Sequence, residues 1–355
     1  MIQIHQLLPN LDYGDAISNH ALEIRNFLRQ WGYQSNIYVQ YIHPRMSKEC
    51  FYYQEHKEVS SPQNITIYHY SIGTDIQDYV KKIPDKKVMI YHNITPHWFF
   101  EGFNHQLTHL LEAGRAELKN FSAMPLLCLA DSEYNLQELK ALGYKRVEIL
   151  PIIQDFSKFS RQPAPEIMSK YNDGNINIIY VGRIVPNKKY EDLIKTFYFY
   201  HKYINPRSRL ILVGSYQGME QYFIALQDLI KKLNLDQVIF TGQVALEELI
   251  AYYRSSHIFL SMSEHEGFGV PFLEAMFFQL PIVAFKSSAV PYTLGRSGVL
   301  VKEKRYEELA ELVDTILKDQ GLRERIIENQ SARLKDFDKE KLLPQLKVYI
   351  EMITD

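Results

Sequence analysis

Ile258-Phe259-Leu260 runs into Ser263-Glu264-His265-Glu266-Gly267-Phe268-Gly269-Val270-Pro271-Phe272-Leu273-Glu274-Ala275-Met276. The apolar triplet reads as a buried strand with polar residues at its end. Two glycines flank Phe268, and Pro271 stands where a helix begins and its missing N–H costs nothing. Leu273, Ala275 and Met276 continue as core-facing helix residues. Strand, glycine loop and helix make one repeat of an α/β sheet. The helix N-terminus can hold an anion, and the glycines let a phosphate approach the backbone. Glu266 in the loop and Glu274 one turn into the helix can reach two ends of a ligand whose middle is a phosphate. A carboxylate accepting from paired hydroxyls reads a ribose or sugar edge. Two solvated acids are the alternative, and the rest of the chain decides.

Upstream the same repeat recurs. Ile176-Asn177-Ile178-Ile179-Tyr180-Val181 reads as a strand, followed by Gly182-Arg183-Ile184-Val185-Pro186-Asn187-Lys188-Lys189 and a helix from about Tyr190. Two fixed positive charges, Arg183 and Lys188, thus follow a strand end, as a diphosphate site needs; a solvated basic turn is the competing reading. Strands at Arg209–Val213, Val238–Thr241 and His257–Leu260 follow, each separated by a helix.

The first half has the same alternation. A strand over residues 2–8 precedes a loop with Gly14, then a helix from Ala16 to Trp31 closed by Gly32. Gly14 is either a plain turn or a second close approach to a ligand. Strands at Ser35–Tyr41, Ile65–Tyr70 and Lys87–His92 follow, then helix Leu107–Phe121, strand Pro125–Ala130, helix Glu133–Leu142 and strand Val147–Leu150. Ligands of such doubly wound sheets gather beyond the carboxyl ends of the strands, where His92 stands, with His69 competing for the role and a structural histidine open for either. His97-Trp98-Phe99-Phe100 reads as core packing, with an aromatic platform for a sugar or lipid acceptor as the alternative. Arg161-Gln162-Pro163-Ala164-Pro165 reads as a linker.

With 355 residues, two domains are expected. The composition is globular, 46% hydrophobic and 23% charged, and 25 tyrosines and 19 phenylalanines suit stacking surfaces as well as core. A net charge of −2 gives no general attraction to nucleic acid, so no nucleic-acid partner is expected. Cys50 and Cys128 are the two cysteines, which indicates neither a disulfide framework nor a cysteine metal site. The first eight residues lack a signal peptide's basic region and long apolar core, and no run reaches the roughly 20 apolar residues of a membrane span. A cytoplasmic location is expected. Lys81, Lys82, Lys86 and Lys87, with Arg45, Lys48 and Lys57 earlier, form a solvated face or else a contact for anionic membrane.

Val181-Gly182-Arg183 with Lys188, Leu212-Val213-Gly214, Phe240-Thr241-Gly242, and Glu266-Gly267-Phe268-Gly269 with Glu274-Ala275 resemble the retaining glycosyltransferases of family four. Gly14-Asp15-Ala16-Ile17-Ser18-Asn19 resembles that family's N-terminal loop and Ser132-Glu133-Tyr134-Asn135 its segment before the linker, so the resemblance covers nearly the whole chain. It implies the GT-B fold: two Rossmann-like doubly wound α/β domains facing across a cleft, at 1–160 (acceptor side) and 166–336 (nucleotide-sugar side). A C-terminal helix over 337–355 returns to the first domain.

The implied roles are as follows. Arg183 and Lys188 bind the donor diphosphate and Glu266 contacts the donor sugar. Phe268, Gly269 and Val270 offer backbone N–H groups to phosphate or sugar beside Gly267, and Glu274 accepts from the ribose. Gly14 lies against the donor, His92 contacts the transferred sugar, and the loops at Gly214 and Gly242 touch the base. The implied reaction is transfer of a hexose from a UDP- or GDP-linked donor, with retention, to a glycan, lipid-linked acceptor in polysaccharide or glycoconjugate synthesis. No cofactor beyond the donor substrate is implied, and no metal: Asp336-Phe337-Asp338, the Asp-x-Asp motif, comes at the start of the last helix. A nucleotide-sugar epimerase of the same fold and a non-catalytic partner subunit are the rival readings. Two departures stand out. Gln279-Leu280-Pro281 replaces a frequent Gly-x-Pro, read as a packing position, and Tyr292 replaces a frequent glutamate.

Overall fold

A computed structural model describes residues 2–354. The chain forms two compact units. One holds the chain up to His97, Gln106–Asp155 and the end from Phe337; the other holds Trp98–His105 and Phe156–Asp336.

Seven strands build the first unit's sheet: β1 (Ile4–Leu11), β2 (Ile37–Ile42), β3 (Phe51–Tyr52), β4 (Ile65–Tyr70), β5 (Lys86–Tyr91), β6 (Leu127–Ala130) and β7 (Val147–Ile149). Their order is β3-β2-β1-β4-β5-β6-β7 and every pairing is parallel. Both faces are covered, which is why the strands read as apolar runs. On one face Ile4, Ile67, Val88 and Leu129 meet Ile24 and Leu28 of helix Ala16–Gln30 and Leu342, Leu346 and Ile350 of helix Lys339–Thr354. The last helix is tied to this unit by polar bonds too: Gln345 Nε2 and Tyr349 Oη donate to the Ile149 carbonyl at 2.9 and 3.1 Å, and Lys86 Nζ donates to the Ile353 carbonyl at 2.9 Å.

The second unit carries β8 (Ile176–Val181), β9 (Ser208–Val213), β10 (Val238–Gly242), β11 (Ile258–Ser261), β12 (Ile282–Phe285) and β13 (Val299–Val301). The order β10-β9-β8-β11-β12-β13, all parallel, is that of the dinucleotide-binding Rossmann sheet. The order reverses between β8 and β11, so the loops leaving those two strands diverge into a crevice at their carboxyl ends, where such sheets bind ligands.

Several local expectations shift. Strand β1 runs through Pro9 to Leu11 rather than stopping at residue 8. Proline lacks a ladder donor, which argues against a central strand. Here the pairing with β4 ends at Leu7, so Pro9 lies where only β2 is alongside. The proline-rich linker is shorter than it reads, because Pro165 opens helix Pro165–Tyr171. Trp98–His105, in the first half of the sequence, belongs to the second unit. Asn104 Nδ2 donates to the Gly218 carbonyl at 2.9 Å and Phe103 packs edge-on against Tyr222. Gln279 is no packing position: it sits at φ +56°, just after the C-cap of helix Val270–Phe277. That left-handed conformation favours glycine, which accounts for the glycine usual there.

Candidate functional site: the switch point of the second sheet

The loop after β8 and the loop after β11 are stitched together. Asn187 Nδ2 donates to the His265 carbonyl at 2.9 Å, and the Glu264 N–H donates to the Asn187 carbonyl at 2.8 Å. This brings Lys188 Nζ to 2.5 Å from Glu266 Oε2, with the side chains only 19% and 10% exposed. An ammonium has three protons. One faces Glu266, which leaves two for a ligand oxygen. Glu266 is held from behind, its N–H donating to Ser288 Oγ at 2.7 Å. The loop's other acid is already matched: Glu264 lies 2.7 Å from Lys304 and 3.4 Å from Lys189. Arg183, on the loop leaving β8, is exposed.

Gly269 caps helix Val270–Phe277 at φ +93°, and Pro271 lies in its first turn. A Cβ on Gly269 would stand 2.6 Å from the ring of buried Phe272, so only glycine fits. Thr293 Oγ1 donates to the Phe268 carbonyl at 2.5 Å and pins the loop. Val270 begins the helix, and the loop from Gly267 to Gly269 precedes it, as the sequence indicates. Glu274 sits one turn on, accepting from Tyr253 Oη at 2.8 Å. Burial pushes its carboxyl above the ordinary value, against the opposing pull of Lys158 and the Tyr253 bond.

Gly182, Gly214 and Gly242 stand at the ends of β8, β9 and β10. The Gly182 N–H donates to the Val213 carbonyl at 2.9 Å and the Gly214 N–H to the Gly242 carbonyl at 3.0 Å, so the three form a rim without side chains. In the first unit Gly14 adopts φ +79°, open space surrounds the place of its Cβ, and Asp15 beside it caps helix Ala16–Gln30.

His92 follows β5 in the first unit, and its imidazole is buried. Its Nδ1 lies 2.8 Å from Asp131 Oδ2 and its Nε2 2.8 Å from His69 Nδ1, while His69 Nε2 lies 2.9 Å from Gln6 Oε1. Gln6 Nε2 donates to the Ala21 carbonyl, which fixes the amide's orientation. Both ring nitrogens of His92 thus have partners within the first unit. Burial raises the Asp131 carboxyl above its ordinary value, against the opposing pull of His92. Burial and the neighbouring imidazoles push His69 down, and His20, edge-on to both rings, is lowered as well.

Below about pH 6.5 the unfolded chain protonates His20 and His69 while the folded one does not, so stability falls towards acid. Urea unfolding from pH 7.5 to pH 5 should show this loss in the natural protein and a shallower one in His20→Gln, which removes one of the two buried imidazoles. Parallel slopes would refute the buried neutral histidine.

Of the basic cluster, Lys81 pairs with Asp78 and Glu117, both at 3.0 Å, and Lys87 donates to the Ile83 and Asp85 carbonyls. With Lys86 on Ile353, Lys82 is the exposed member of the four. Asp336 pairs with Arg333 at 2.9 Å, and the Asp338 carbonyl accepts the first N–H groups of the last helix, so this motif serves the helix start. Among the described residues no helix is long and apolar enough to cross a membrane.

Residues 165–333 match the family model of glycosyl transferases group 1. The second unit is a group 1 glycosyltransferase domain. The family-four resemblance read from the sequence is thereby borne out. Among curated relatives, the capsular polysaccharide biosynthesis glycosyltransferase CapM of Staphylococcus aureus is 24% identical over 249 residues, covering 66% of this chain and 62% of that one. The O-antigen chain mannosyltransferase B of Escherichia coli is 27% identical over 168 residues, covering 47% of this chain and 43% of that protein. The chain thus spans about half the length of the curated relatives it matches. Anabaena HepE, solved in complex with UDP and glucose, superposes with a TM-score of 0.74 at 18% identity over 99% of this chain and all of that one. That likeness shows the GT-B fold, two Rossmann-like domains.

Sequence reasoning found the loops of this glycosyltransferase domain but missed their supports. Ser288, at φ +38°, and Asn187 clamp the Glu266 loop, Lys304 neutralises Glu264, and Tyr253 holds Glu274. Only Asn187, beside Lys188 in the loop already singled out, carried a local signal.

Proposed function

We propose that the chain is a retaining glycosyltransferase that moves a hexose from a UDP- or GDP-linked donor to a glycan, lipid-linked acceptor in polysaccharide or glycoconjugate synthesis. The observation that carries this is the Lys188–Glu266 pair at the switch point of a Rossmann sheet, with a glycine-capped helix N-terminus and Arg183 in the same loops. Lys188 and Arg183 would bind the diphosphate and stabilise its departure. Glu266 would hold the donor sugar and Glu274 the ribose. Relatives that act as a mannosyltransferase and in capsular polysaccharide biosynthesis favour a polysaccharide product. Retention is proposed by front-face attack within an ion pair, with the acceptor oxygen displacing the diphosphate and losing its proton to it. Cationic side chains take the place of a divalent metal in this scheme.

Incubation with single UDP- and GDP-sugars and EDTA should release UDP or GDP slowly from one donor. Release from none, or release restored only by Mg²⁺ or Mn²⁺, would overturn the reading or its metal-free form respectively. Glu274→Gln should raise the donor KM with little change in kcat, since ribose contacts act equally in ground and transition states. The same change should raise Tm, because it removes a carboxylate that burial disfavours while a carbonyl still accepts from Tyr253. A lowered Tm with an unchanged KM would make Glu274 purely structural.

A further inference from the structure

Trp98 is 58% exposed although Phe100, two residues on, is buried. A single exposed aromatic is ordinary. Its location is not. Trp98 stacks on Phe99 with ring centroids 6.2 Å apart. Phe99 lies 6.4 Å from the His265 ring and carries Lys189 Nζ 5.8 Å from its centroid. His265 and Lys189 are the chain neighbours of Glu266 and Lys188, the pair that marks the donor site. The aromatic pair therefore stands one side chain away from the place where the donor sugar would be cleaved. It is held there by the second unit itself, through the Asn104 bond to Gly218 and the packing of Phe103 on Tyr222.

We infer that Trp98, seated on Phe99, is a stacking platform for a pyranose ring of the acceptor, so that the acceptor is a glycan at its receiving end. This rests on the donor reading above. A pyranose offers a face of C–H groups and an edge of hydroxyls. It therefore suits a small aromatic face inside a polar rim. Here the polar neighbours of the aromatic face are Lys189 and His265, whereas an acyl chain would need a continuous apolar trough. The first half of the chain thus places part of the acceptor subsite beside the donor loops.

The chain has two tryptophans, and Trp31 packs against the first unit's core, so a Trp31→Phe background leaves Trp98 as the reporter. In that background, methyl α- and β-pyranosides of glucose, galactose and mannose, with maltose and cellobiose, are titrated against tryptophan emission. Phosphatidylglycerol vesicles form a parallel arm. At least one glycoside should shift the emission saturably. In the natural background Trp98→Ala should raise the acceptor KM by about tenfold. Trp98→Tyr should restore it, and donor hydrolysis and UDP or GDP affinity should stay unchanged in both. No shift with any glycoside, or a shift with vesicles alone, overturns the proposal. A glycoside shift in a protein that binds neither UDP nor GDP would refute the donor reading and the acceptor role with it, leaving a glycan-binding site.

Discussion

Replacing Lys188 with alanine is expected to lower kcat/KM for the donor by about one to two powers of ten. It should weaken UDP or GDP binding in calorimetry as well. The figure comes from the loss of about 1.5–3 kcal/mol, the usual worth of a hydrogen bond to a charged group. The Lys188–Glu266 pair adds a second consequence. Glu266, 10% exposed, loses its cation and stands as a nearly buried carboxylate. Such a group is costly until it is neutralised or paired. Lys188→Ala should therefore destabilise the second unit, and adding Glu266→Gln should recover much of that stability while leaving turnover low. The double-mutant cycle would then show coupling in stability of a sign that two independent residues cannot give. Arg183, exposed and on the neighbouring stretch, should behave differently: Arg183→Ala should weaken nucleotide binding with little change in Tm. Nucleotide affinity at the natural level in both alanine variants would remove the diphosphate from this loop pair.

The contrast between these two cations shows where the sequence was legible and where it was not. Both were visible because each follows an apolar run at fixed distance in a strand–loop–helix repeat, a pattern carried within about ten residues. The same local periodicity placed β4 at Ile65–Tyr70 and β8 at Ile176–Val181. Distinguishing Lys188 from Arg183 needs Glu266, 78 residues away, and Ser288 behind it. The surroundings of His92 are hidden for the same reason. Its position beyond β5 was right, but its partners Asp131 and His69 arrive on β6's end and on β4, and only the closed sheet shows that they occupy both ring nitrogens. Gln279 was misread because a side-chain argument was applied to a backbone position. The partners of Lys81, Lys86 and Lys87 were hidden because a charge run says nothing of the carbonyls and carboxylates folded against it. Patterns of period two and of strand–loop–helix survive in one dimension; pairings across a sheet do not.

Gly214→Ala should produce the largest loss of stability of any single methyl added to this chain's strand ends. At φ +153° the residue turns β9's end so that its missing side chain points at β8. A Cβ there would stand 1.8 Å from the Gly182 carbonyl oxygen and 2.7 Å from its carbon. Both obstacles are backbone, so no rotamer change relieves them. The strained conformation costs about 1–3 kcal/mol and forced overpacking a similar amount. Together these approach the roughly 5–15 kcal/mol by which whole domains are stable. Relief requires β8's end to move, and Arg183 follows Gly182 directly. Any folded Gly214→Ala protein should therefore bind UDP or GDP poorly as well. Gly242→Ala provides the control: it shares a positive φ, +73°, but its Cβ meets nothing within 4 Å. That variant should lose only the conformational strain and keep nucleotide affinity nearer the natural value. Thermal unfolding and nucleotide titration of the two variants test the argument together. A Gly214→Ala protein as stable as Gly242→Ala would show that the ends of β8 and β9 are free to part, and the glycine rim would lose its steric meaning.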